Sequence, residues 1–152
     1  MSARPRIAVA CAPECGLLEL GDMARTIEAL GFDELWFTEE ASAAATAAAA
    51  ESALATTRRI RVGFDLVASP EVGPGGLARM IAPLAAHHSN RICVAIGAGE
   101  DGKPHMGPGA SVEAVATGAS CVVLAPVPSS GFEQLERFAE EVLPLVVAHT
   151  LR

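Results

Sequence analysis

Thr57-Arg58-Arg59-Ile60-Arg61-Val62-Gly63 is the stretch that decides how this chain folds. It joins an alanine-rich segment to an apolar run, Ile60 to Ala68, with no linker between them. A short continuous apolar run of this kind reads as a strand covered on both faces, as in parallel sheets. The segment before it, Ala41 to Thr57, is nearly all Ala, Ser and Thr, with Leu54 its one large apolar residue. Alanine makes that segment a strong helix former. A helix delivered straight into a buried strand is half of a repeating βα unit.

The same alternation recurs on both sides. Arg6 to Ala12 is another short apolar run. Leu17, Leu20, Met23, Ala24, Ile27 and Leu30 then follow at three- and four-residue spacing, which predicts a helix with one apolar face. Gly31 suits the left-handed cap that would end it. Leu35 to Thr38 gives a second strand, and Gly73-Pro74-Gly75-Gly76 is a break before a helix over Leu77 to His87. Ile92 to Ile96 gives a fourth strand, and Asp101 to Gly109, rich in Gly and Pro, must be irregular. A short helix around Val112 to Thr117, a fifth strand over Cys121 to Ala125 and a last helix over Phe132 to Val147 complete the pattern. Phe132, Leu135, Phe138, Ala139, Val142 and Val146 would form the apolar side of that last helix. Strands alternating with helices across short connections require a parallel sheet with right-handed crossovers.

Composition excludes several functions. The 152 residues are 51% hydrophobic and 19% charged, enough to build a core and too apolar for a disordered chain. The net charge of −7 and the lack of a basic stripe argue against nucleic acid. No apolar run approaches the ~20 residues of a membrane span, and the N-terminus lacks the long apolar core of a signal peptide. A cytoplasmic location is the expectation. Cys11, Cys15, Cys93 and Cys121 lack the partner pattern of a zinc site. They read as reduced, structural cysteines, with Cys93 and Cys121 as small buried hydrophobes.

Four segments resemble the (β/α)8 barrels of the bacterial-luciferase-like flavin monooxygenases, in the same chain order. They are Thr57 to Gly63 itself, Ala29-Leu30-Gly31-Phe32-Asp33-Glu34-Leu35-Trp36, Arg91-Ile92-Cys93-Val94-Ala95-Ile96-Gly97-Ala98-Gly99, and Val122-Val123-Leu124-Ala125-Pro126. Residues 1–99 resemble the first half of such a barrel and residues 107–152 its closing piece, within one domain spanning 1–152. The resemblance implies an α/β fold, a truncated TIM-barrel-like parallel βα sheet of about five strands. Relative to the ~250 residues of a full barrel, roughly three βα units are missing between Gly99 and Gly107. Five strands cannot close an eight-stranded barrel, so open edges and a homodimer or higher oligomer covering them are expected.

The resemblance also implies a flavin-dependent oxidoreductase or monooxygenase, using FMN or a deazaflavin and an unidentified small-molecule substrate. A non-catalytic flavin-binding, ligand-binding or scaffold homologue is the alternative. Relatives carry His after the second strand for flavin–oxygen chemistry. Here the positions read Thr38-Glu39-Glu40-Ala41, so Glu39 is kept while Glu40 and Ala41 replace the His residues. Glu40 is the candidate catalytic acid or base, against a plain reading of Glu39 and Glu40 as solvated residues favouring a helix start. Asp65, in an otherwise apolar strand, requires a partner, an open face or a ligand. Glu39, Asp65, Ser69, Gly97 and Gly99 are the candidate cofactor-binding residues, with Cys11 on the same rim. Gly97-Ala98-Gly99 could present amides to a phosphate or simply make a tight turn; it lacks a complete dinucleotide fingerprint. His87-His88 suits a helix end, His105 lies in the Gly/Pro loop, and no metal is expected. The opposite rim, with Arg6, Arg59 and Arg91, is expected to be structural.

Overall fold

The computed structural model describes residues 4–11, 17–38, 42–67, 74–88, 90–97, 121–124 and 131–144. Within them lie five strands and four helices. The first half runs β1 (Arg6–Cys11), α1 (Leu17–Ala29), β2 (Glu34–Thr38) and α2 (Ala43–Thr56). There follow β3 (Arg61–Val67), α3 (Pro74–His87), β4 (Ile92–Gly97), β5 (Cys121–Leu124) and α4 (Gly131–Glu141). The strands form one parallel sheet in the order β4-β3-β2-β1-β5. The last strand thus lies beside the first rather than beside its predecessor. A barrel closes in this way, and here the outer edges of β4 and β5 have no strand partner among the described residues.

The helices share one face of the sheet. Ile7, Val9, Leu35, Phe37, Val62 and Phe64 project from alternate strand positions into a core with Leu20, Ala24 and Ile27 of α1. The same core takes in Ala49, Ala50, Ala53 and Leu54 of α2, Leu84 of α3, and Leu135 and Phe138 of α4. Alanine lets α2 seat closely, because three of its buried positions, Ala49, Ala50 and Ala53, are methyl-sized. Ser42 caps α2 by accepting the Ala45 amide at 3.3 Å. Gly31 takes φ of +92° after α1, as a left-handed helix end requires. Phe32 then stacks on Phe138 at a centroid distance of 6.3 Å.

Three expectations need correction. The helix expected from Leu77 begins at Pro74, so the Gly73-Pro74-Gly75-Gly76 break is largely the helix's first turn; proline there loses no bond the helix would have used. Phe132, expected on the apolar side of the last helix, is 47% exposed. It sits one turn ahead of the contacts that Leu135 and Phe138 make. Cys93 is only half-buried, and charged groups, Glu34, Arg61 and Arg6, act on its thiol. Burial raises its thiol pKa, Glu34 adds to the rise, and Arg61 and Arg6 oppose it. The short helix expected around Val112 to Thr117 lies outside the described residues, as does the last helix beyond residue 144.

Candidate functional site

Parallel strands put all their carboxyl ends on one rim, and pairing shows which residues meet there. Cys11 ends β1 beside Phe37, and Thr38 ends β2 in one row with Asp65 and Ala95. One step further, Val67 pairs with Gly97, the last residue of β4. Asp65 and Gly97 therefore reach the same rim through adjacent strands. Glu39, Glu40, Ser69 and Gly99 lie outside the described residues; in sequence they follow Thr38, Val67 and Gly97 closely.

Below that rim, on the face opposite the described helices, is a cluster that sequence reasoning missed. Glu34 is 1% exposed. Its carboxylate takes the Arg6 Nε at 3.2 Å and the Arg61 Nη1 at 3.3 Å, and it accepts the Trp36 indole N–H at 2.8 Å. The three side chains come from three neighbouring strands, and their charges compensate what burial of a lone carboxylate would cost. Trp36 lies across Gly63 of β3: an added Cβ there would fall 2.3 Å from the ring. The one available signal was a charged residue on each of three adjacent strand starts, Arg6, Glu34 and Arg61.

At the strand entrances the other charged groups fix backbone. Glu28 at the end of α1 accepts the N–H groups of Arg58 (3.0 Å), Arg59 (2.7 Å) and Ile60 (3.0 Å). Burial alone would raise its carboxyl pKa, but those three amides and the Arg59 charge hold it below its ordinary value of 4.5. Arg91 donates to the carbonyls of Ile60, Leu54 and Thr57 and, at 2.6 Å, to the Thr57 hydroxyl. Burial lowers its pKa, with Glu28 opposing. Asp33 accepts the Ile7 amide at 2.9 Å and pairs with Arg4. Arg6, Arg59 and Arg91 thus have structural partners.

His87 caps α3, its Nδ1 lying 2.9 Å from the Pro83 carbonyl, and His88 contacts Glu51 of α2. No group of three His, Cys, Asp or Glu among the described residues could hold a metal ion. No helix among them is long and apolar enough to cross a membrane.

A family model described as luciferase-like monooxygenase matches residues 6–114, which include the first four strands and the three helices between them. A search of curated proteins gives no match to the chain.

Proposed function

The chain belongs to the luciferase-like monooxygenase family, and from that premise we propose that it is a flavin-dependent oxidoreductase working at the strand-exit rim. The observation that carries this reading is the convergence of Thr38, Asp65, Ala95 and Gly97 on one rim inside the matched segment. Ligands of parallel βα sheets bind at that end, where loops and helix starts gather.

The residues present fit the ring portion of FMN or a deazaflavin. Ala95 and Gly97 are small residues at the end of β4, and a flat aromatic side chain, Trp36, lies just below on β2. No Arg or Lys stands among the described strand-exit residues, so a phosphate falls to the Gly102 to Gly109 loop and to backbone amides at Gly97 and Gly99. Glu39, Asp65 and Ser69 would line the ring's polar edge. Glu40 would hold a proton at its carboxyl, because a charged carboxylate beside a reduced, anionic ring is unfavourable. When bound, the flavin supplies hydride transfer or oxygen activation. A cytoplasmic, homodimeric protein is the setting we infer, the second copy covering the outer edges of β4 and β5.

Purified protein should be yellow, or its melting temperature should rise with added FMN or deazaflavin, since a ligand that binds only the native state stabilises it. Gly97→Leu should remove that rise and leave the oligomer unchanged. A colourless protein indifferent to both cofactors would instead support a non-catalytic ligand-binding or scaffold homologue. If binding responded only to changes at Arg6, Arg59 or Arg91, the site would lie at the other rim. A light-scattering mass of 15.6 kDa, that of one chain, would rule out the dimer.

A further inference from the structure

We propose that the indole of Trp36 is a stacking platform for a planar aromatic ligand on the face of the sheet opposite the described helices, an inference that rests on the flavin reading above. Trp36 occupies one row of the sheet with Ala10 on one side and Gly63 and Cys93 on the other. A Cβ at position 63 would stand 2.3, 2.4 and 2.8 Å from Cδ2, Cε2 and Cε3 of the indole. The ring therefore lies directly on the β3 backbone, an approach that only glycine permits. One face of the indole is used against the sheet. The residue is only half-buried, and it alternates with Leu35 and Phe37 of the core, so it stands on the side of the sheet opposite the described helices.

The plane of the ring is set before any ligand arrives. Nε1 donates to Glu34 at 2.8 Å, and that carboxylate is itself held by Arg6 and Arg61. A prefixed aromatic surface binds a flat heterocycle without an ordering cost of its own. Trp36 also stands two residues before Thr38, about 7 Å along the strand, with Glu39 and Glu40 next in sequence. A ring laid on the indole would thus border the strand exits.

Trp36 is the sole tryptophan of the chain, which makes the test direct. The intact protein is titrated with FMN, riboflavin and a 5-deazaflavin while ring fluorescence and protein melting are followed. In wild type, bound flavin emission should be quenched by contact with the indole. Trp36→Leu should restore emission and raise Kd about tenfold. Trp36→Phe should keep most of the affinity yet still lose the quenching, which a merely structural role would not separate. Gly63→Ala, which lifts the indole off the sheet, should weaken binding with the indole still present, and it carries the test if Trp36→Leu does not fold. Quenching and affinity indifferent to all three variants would overturn the platform and leave the flavin reading standing. Failure of wild type to bind any of the three ligands would overturn both.

Discussion

At the strand entrances, Glu28, Asp33, Glu34 and Arg91 each hold two or more groups from outside their own element. At the exits, the same strands end in Thr38, Val67 and Gly97, with Glu39, Glu40 and Ser69 following within a few residues. Charge at the first end ties helix ends to strand starts. Charge at the second end, Glu39 and Glu40, follows β2 directly in sequence. The division follows from the parallel sheet itself. Every α-to-β turn falls at the entrances and must be fixed for the helices to seat, whereas every β-to-α loop falls at the exits and is free to carry chemistry.

Glu34 offers the hardest test of that contrast. Glu34→Ala would leave Arg6, Arg61 and the Trp36 N–H without their shared acceptor, and should cost about 3 kcal/mol in urea unfolding. The low end of the buried-pair range is expected because Arg6 and Arg61 keep 45% and 32% of their side chains exposed and can rehydrate. A loss below about 1 kcal/mol would mean that the buried carboxylate does not organise the entrances. Arg91→Ala comes next, at about 2 kcal/mol, since the carbonyls of Leu54, Thr57 and Ile60 lose a charged donor together.

Glu28→Gln should cost about 1 kcal/mol at neutral pH, the amide still accepting some of the three N–H groups. Its pH dependence sharpens the point. The folded carboxyl has a pKa below its ordinary 4.5, so its contribution is present above 4.5 and is lost as pH falls through the folded value. Wild type should therefore lose stability below pH 4.5 more steeply than Glu28→Gln, as read by unfolding at successive pH values. The smallest effect is expected at the exits: Glu40→Gln should change unfolding stability by no more than about 0.5 kcal/mol while altering the melting response to FMN or deazaflavin. A stability loss above about 1 kcal/mol there would make the two ends alike and end the comparison.

Much of the architecture was legible because it rests on local pattern. The three- and four-residue spacing of Leu20, Ala24 and Ile27 marked the buried face of α1, and Gly31 marked its end. The strand at Ile60 to Ala68 was marked by its apolar run, and the observed β3 lies inside it. Phe132 failed because periodicity assigns a face without saying how far the neighbouring surface extends. Cys93 failed because an apolar run hides the difference between the two faces of a strand: Ile92 packs on the core, while Cys93 faces Glu34 and Arg61. The rim residues Asp65 and Gly97 were placed at strand ends by sequence, and pairing added that their strands adjoin.

Sequence alone thus determined the order of the described elements, the parallel sense of the sheet and the family, since each depends on residues near one another along the chain. Only the tertiary structure decided that β5 returns to lie beside β1, that Glu34 is buried, and that Trp36 lies flat on Gly63. The physical reason is common to all three. A glutamate at a strand start is an ordinary exposed charge until Arg6 and Arg61 arrive from strands on either side, and a glycine is an ordinary gap until an indole fills it. Such contacts join residues distant in sequence, and no local pattern encodes which distant partner comes to rest there.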